Sequence, residues 1–263
     1  MLLNGEKMAD RIVEDGKKLI DCHSHTHGIS RCCKAYAPEV IAAAKEKGID
    51  GLVLTNHYHK PYITRDGKFA NARELASAYL DEYYYAQYCA KQEGLELFFG
   101  IEVTMERHDM AHLLVYGVDE SFVTDNEEMF EYTQKELYEL VHKAGGALVQ
   151  AHPMRKGKNA LLDLGYLDGL ELSSHIRYDG SHFEELSAIA HEHGLILTSG
   201  GDYHKDTDRS FCGMYLPCSI KDTKDFARYL LTTDTVDLLV QEAAGEESHR
   251  ELFTRKRRDR ERG

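Results

Sequence analysis

Seven short apolar runs recur along the chain, and each has a histidine, aspartate or glutamate at or beside one end. They read as strands: Lys18 to Cys22, Gly51 to Thr55, Leu95 to Val103, His112 to Gly117, Ala147 to Ala151, Gly169 to Ser173 and Leu195 to Ser199. Between them the apolar positions take helical spacing over Pro38 to Lys47, Ala70 to Gln92, Asn126 to Ala144 and His182 to His193. Gly48, Gly94, Gly145 and Gly194 stand just past these stretches, where a left-handed residue ends a helix and leads into the next strand. Strand alternating with helix is the order of βα units around a parallel sheet, and only the third and fourth strands look joined directly. Tyr84 and Tyr88 share a helical face with Leu80, which predicts packing on the sheet rather than a stacking platform. No repeat, linker or low-complexity spacer interrupts the series, so residues 1–263 are expected to form one domain. Residues 241–263 carry near-balanced charges and predict a frayed terminal helix.

On this map the polar residues fall at one kind of place. His23 and His25 follow the first strand, His57 the second, and Glu102 lies at the end of the third. The fourth run begins with His112, the fifth ends in His152-Pro153, the sixth contains Glu171, and the seventh runs into Asp202-Tyr203-His204. Side chains alternate along a strand, so His23 and His25 project from the same side and one metal ion can take both. In parallel barrels the carboxyl ends of the strands form a single face, where ligands far apart in sequence converge. One strand-end histidine would be an ordinary hydrogen-bonded imidazole. This many together point to a metal centre.

Composition narrows the partners. With 32 Lys+Arg against 45 Asp+Glu, the formal charge of −13 repels polyanions over most of the surface, so a nucleic-acid-coating role is disfavoured. Met1 to Asp10 has no apolar core of signal-peptide length and no later segment reaches an uncharged membrane span, so a soluble, cytoplasmic protein is expected. The six cysteines include no Cys-x-x-Cys pair and are read as reduced thiols, with Cys32 and Cys33 as bystanders in a loop.

The ordered motifs Asp21-Cys22-His23-Ser24-His25-Thr26, Thr55-Asn56-His57, Gly100-Ile101-Glu102 with His112 to Gly117, Ala151-His152-Pro153, and Ser199 to His204 resemble those of the PHP (polymerase and histidinol phosphatase) family. The resemblance runs from residue 21 to 204. It implies a distorted seven-stranded (β/α)7 TIM-like barrel holding two or three metal ions at the C-terminal ends of its strands, used for phosphoester hydrolysis. Carried over by motif, His23, His25, Glu102 and Asp202 would hold one ion, and Glu102 would bridge to a second held by His152 and His112. His57 and His204 would serve a third ion or complete the cluster. Neutral imidazoles suit Zn, Mn or Fe better than Mg or Ca. Asp21 reads as a group that orients a ligating ring. Two departures stand out: Ser30-Arg31 occupies the place where many relatives carry an acid or a histidine, and Thr55-Asn56-His57 replaces Thr-Asp-His. Either the cluster is dinuclear, or His27 or His59 substitutes, or Arg31 stands in for a metal as the phosphate's positive partner.

Two ions sharing a hydroxide would lower the pKa of water and polarise a phosphoryl oxygen, with Asp202 counted as a catalytic residue as well as a ligand. Candidates for holding the phosphate are Arg31, Arg155 and Arg177, with Lys156 and Arg209 behind them, and His175 could protonate a leaving group. The favoured substrate is a small phosphomonoester such as histidinol phosphate or a nucleotide. An exonuclease or oligonucleotide phosphatase of the same family, an amidohydrolase acting on C–N bonds, and a non-catalytic metal-bearing module are the alternatives. No Lys ends the third or fourth strand to be modified as a bridge, which favours phosphoester chemistry over the amidohydrolase reading.

Overall fold

A computed structural model describes residues 16–155, 160–174, 180–204, 211–241 and 247–256. In chain order its strands are β1 (Lys17–Ser24), β2 (Gly51–Leu54), β3 (His57–Tyr58), β4 (Glu96–Met105), β5 (Ala111–Tyr116), β6 (Ala147–Gln150), β7 (Gly169–Ser173), β8 (Ile196–Gly200), β9 (Gly213–Pro217), β10 (Thr235–Val240) and β11 (His249–Thr254). The long helices are α1 (Ala37–Glu46), α2 (Ala72–Glu93), α3 (Gln134–Lys143), α4 (Phe183–His193) and α5 (Thr223–Thr232). Among the described residues no helix is long and apolar enough to cross a membrane.

All seven expected runs are strands, and together they make a distorted, nearly closed mixed barrel. β1, β2 and β4 run parallel, β5 is antiparallel to both β4 and β6, and β6, β7 and β8 are parallel again. The barrel closes along a narrow seam, where Ser24 bridges Tyr203 and the Asp202 N–H donates to the His23 carbonyl at 2.9 Å. The first half of β1 instead pairs with β9, from Lys17↔Pro217 to Ile20↔Met214, and β10 and β11 extend the sheet beyond it. A strand buried on both faces can be apolar throughout, as the core positions Leu19, Leu52, Leu114, Val149, Leu170 and Leu197 are.

The simple (β/α)7 barrel is therefore corrected in two respects. β5 reverses direction, and β3, β9, β10 and β11 add strands beyond the seven expected runs. β11 reads His-Arg-Glu-Leu-Phe-Thr, with only Phe253 buried, because an edge strand keeps a solvated face and needs no apolar run. This strand stands within the stretch 241–263 expected as a terminal helix, of which 242–246 and 257–263 lie outside the described residues. The helix expected over Asn126 to Ala144 starts only at Gln134, because Thr133 caps it in a reciprocal box with Glu136 and a 3-10 turn occupies Met129–Glu131. All four helix-ending glycines take positive φ, as expected. In α2 the packing face is Tyr79 and Tyr83, whereas Tyr84 and Tyr88 are exposed, a correction of the expected face.

Asp237 in β10 ties the C-terminal ribbon to β1: it takes a two-pronged contact from Arg250, with Nε to Oδ1 at 2.6 Å, and another from Lys17 Nζ. Although burial raises its pKa, Arg250 and Lys17 hold it below the usual carboxylate value. A depressed carboxylate contributes stability that is present above its unfolded pKa and lost as pH falls through the folded one. Asp237→Asn should cost about 1–2 kcal/mol at neutral pH, and the deficit should shrink below roughly pH 4. Denaturant titrations of both proteins across that range check it.

Candidate metal centre

All eight expected ligands come together at one rim, and the topology explains how. His23 ends β1 and His25 follows by the two-residue strand period, so both rings are buried on one side with their Nε2 atoms 3.0 Å apart. β3 pairs with β4 so that His57 lies opposite Glu102. Because β5 runs antiparallel, its first residues reach the rim that the other strands reach with their last, and His112 Nδ1 sits 2.7 Å from Glu102 Oε1. His152 and Asp202 follow β6 and β8 with φ of 31° and 50°. Left-handed backbone in non-glycine residues costs roughly 1–3 kcal/mol each and persists where surrounding contacts enforce it. Here the His152 N–H donates to Glu171 Oε2 at 3.0 Å, and the Asp202 N–H is held in the barrel seam.

Glu102 is the hub. Its Oε1 faces His112, His152 at 3.1 Å and His23 at 3.5 Å, while Oε2 faces His25 at 3.5 Å and lies against His57 Nδ1. Asp202 Oδ1 lies 2.9 Å from His25 Nε2 and 3.4 Å from His23 Nε2. Among the described residues four sets have donor atoms close enough to share an ion: His23, His25 and Asp202; His23, Glu102 and His152; His57, Glu102 and His112; and His25, His57 and His204. The donor set fits transition metals, and buried atoms support it. Glu102 Oε2 and His57 Nδ1 face each other without hydrogen-bond geometry.

The groups around the cluster aim it. Glu171, not Asp21, orients a ring: its Oε1 takes His23 Nδ1 at 2.8 Å while Oε2 holds the backbone of His152. Asp21 instead accepts the backbone N–H groups of His23 and Gly201, at 3.0 and 2.9 Å, and so pins the two strands that carry ligands. This corrects the ring-orienting role expected for it. A Cβ at Gly200 would lie 2.5 Å from that of His23 and 2.7 Å from Glu171 Oε1, so only glycine lets β8 approach so closely. Ser30 donates to Asn56 Oδ1 at 2.8 Å and therefore accepts from His25 Nδ1 and the His57 N–H, which leaves His25 Nε2 as a lone pair turned to the cluster. Asn56 also donates to Thr26 Oγ1 at 2.9 Å, a bond that the aspartate of relatives could not make in that sense. Ser30 thus orients a ring, and Asn56 braces Ser30 and Thr26 beside it.

Electrostatics divides the rings. Burial lowers the pKa of His23, but Glu171, Asp202 and Glu102 together raise it well above the usual imidazole value. For His25, burial and neighbouring His57 hold it well below. His112 is brought down to about 4, mainly by burial. Glu102 and Asp202 both stay well below the ordinary carboxylate range because the imidazoles outweigh burial.

The remaining candidates divide as follows. His27 and His59 join none of the ligand sets found among the described residues; His27 Nδ1 bonds the Cys33 carbonyl, and the His59 ring packs on Tyr62. Arg31 is about half exposed and pairs with Asp66 at 3.4 Å. Arg155 follows β6 and is partly buried. His175, Arg177, Lys156 and Arg209 lie outside the described residues. Cys32 is the residue that sequence reasoning passed over. Its Sγ reaches His204 Nε2 at 3.1 Å and His57 Nε2 at 3.2 Å, and although burial opposes it, the two rings bring the thiol down to about 6.

A family model described as "PHP domain" matches residues 21–204. Among solved structures, a two-domain protein from Bacteroides vulgatus containing a PHP-like metal-dependent phosphoesterase is similar at TM-score 0.59 and 12% identity, over 93% of this chain and 89% of that one. An amidohydrolase from Chromobacterium violaceum, with sulfate bound and no metal, gives 0.54 and 15% over 84% and 97%. A protein from Bifidobacterium adolescentis assigned as a metal-dependent phosphoesterase gives 0.50 and 17% over 81% and 95%. No curated protein matches the sequence.

Glu171→Gln tests the outer contacts. An amide has one acceptor and one donor end, so it cannot accept from both the His23 ring and the His152 backbone. Metal affinity should fall about 10- to 100-fold, as for other partners of ligating histidines, while far-UV dichroism is kept. Competitive titration against a chelating dye reads the change.

Proposed function

The chain belongs to the PHP domain family, and from that premise we propose that it hydrolyses a small phosphomonoester at the Glu102 cluster. It is a metal-dependent hydrolase; the substrate class is our reading. The observation that carries it is the division of Glu102's two oxygens between different histidines: Oε1 toward His23, His112 and His152, Oε2 toward His25 and His57. A carboxylate so placed would bridge two ions, Oε2 turned toward the one with His25 and Asp202 and Oε1 toward the one with His112 and His152, with His23 between them, the role that a modified lysine takes in many C–N hydrolases. Zinc, manganese or iron is the chemistry that imidazole donors suit. Bound divalent ions would bring the pKa of water toward neutrality and polarise the phosphoryl oxygens.

The chain's own residues do the rest. Glu171 and Ser30 hold the rings of His23 and His25 with a nitrogen free to ligate. Asp202, kept ionised by His23 and His204 despite burial, is the carboxylate to take a proton from water. Arg31, Arg155 and Arg177 are proposed to meet the phosphate and His175 to protonate the leaving group. Net charge of −13 favours a small phosphorylated molecule over a polyanion.

Purified protein reconstituted with Zn, Mn or Fe should hydrolyse members of a panel of phosphate monoesters, and His152→Ala or Asp202→Ala should abolish turnover with the fold intact. Turnover of cyclic amides but of no phosphate ester would overturn the reading. Arg31→Ala should lower kcat/KM by about 2 kcal/mol, the cost of one lost charged hydrogen bond, with metal content unchanged. An unaltered kcat/KM would leave Arg31 as the surface partner of Asp66.

A further inference from the structure

We propose that Cys32 supplies a thiolate ligand to the cation that His57 and His204 would hold beside the Glu102 cluster. The proposal rests on the metal-dependent reading of the rim, and it goes beyond the histidine and carboxylate set by adding a sulfur donor. The three donor atoms meet closely, with Sγ 3.2 Å from His57 Nε2 and 3.1 Å from His204 Nε2.

Hydrogen bonding says what is missing from that meeting point. The far nitrogen of His204, Nδ1, is 2.7 Å from the Asp202 carbonyl, a group that can only accept, so the proton sits there and Nε2 presents a lone pair to the sulfur. His57 turns Nδ1 toward Glu102 and points Nε2 at the sulfur. Two rings thus converge on one sulfur atom. A cation at the centre satisfies both nitrogens and the sulfur at once, and tetrahedral sets of nitrogen and sulfur are the geometry of zinc.

The sulfur is also held where it stands. The Cys33 N–H donates to the Ser30 carbonyl at 2.9 Å and the Lys34 N–H to the His204 carbonyl at 3.0 Å, so the loop is tied on one side to the Ser30 hub and on the other to the ligand strand. Cys32 is exposed, so solvent could supply a further ligand to an ion held there. Relatives with an acid or histidine one residue earlier would place a harder donor here. A thiolate shifts the preference toward zinc and away from magnesium.

The test is spectroscopic and stoichiometric. The metal-free protein is titrated with Cd2+ and with Zn2+, alongside Cys32→Ser, Cys32→Ala and the exposed-cysteine control Cys218→Ser. Wild type and Cys218→Ser should show the near-ultraviolet thiolate-to-cadmium charge-transfer band, and both Cys32 variants should lose it. Zinc at saturation should fall by one per chain in Cys32→Ala, and in Cys32→Ser that ion's affinity should drop on the order of 10- to 100-fold or more. A charge-transfer band that survives in Cys32→Ala, or unchanged zinc stoichiometry and affinity in both variants, would overturn the thiolate ligand while leaving the Glu102 cluster standing. A wild type that takes up no ion at all would overturn both.

Discussion

Removing Glu102 from water costs several kcal/mol, and only positive charge or hydrogen-bond donors aimed at it can offset that. The structure surrounds it with His23, His25, His57, His112 and His152, each within ion-pair reach. In the absence of metal the imidazoles must share protons to serve it, which is why His23 and His57 are held toward the charged form. Cations in that place would let the same rings ligate as neutral groups. The cluster is therefore a place of stored electrostatic demand, and the barrel around it is arranged to keep that demand unmet by water.

Rigidity comes from backbone contacts that involve no ligand atom. Asp21 ties the chain at His23 to the chain at Gly201, Glu171 ties a ring on β1 to the backbone after β6, and Tyr79 from α2 donates to the carbonyls of Asn56 and Gly100. Each link joins different strands, so displacement of one ligand strains several others. The left-handed residues His152 and Asp202 are affordable only inside that bracing.

Much of this was legible in the sequence because it depends on apolar runs and strand ends. The seven barrel strands and the helix-ending glycines follow from hydrophobic pattern, and the convergence of the eight candidate ligands from motif order. Three things did not. In the ribbon β9–β11, β10 is interrupted by Asp237 and β11 is mostly solvated, so neither reads as an uninterrupted apolar run. The direction of β5 is a matter of a short connection at residues 106–110, which pattern alone does not orient. The positions of Glu171, Ser30 and Cys32 beside the ligands depend on how loops fold over the rim. Cys32 looked like a bystander because it is contiguous with Cys33, yet Cys33 is buried and bonds backbone carbonyls while Cys32 turns outward to two rings.

The seam at Ser24 and Tyr203 has a consequence for time rather than space. The residues that shut the barrel are the immediate neighbours of His23, His25, Asp202 and His204, so closing the fold and assembling the ligands are one event. A chain made from its N-terminus would carry His23, His25, His57 and Glu102 unassembled until β8 and the segment after it emerge, a contact of high sequence separation and so a slow one. A captured ion would act as a clasp across a seam that, among the described residues, is joined by an isolated bridge and the Asp202 N–H bond.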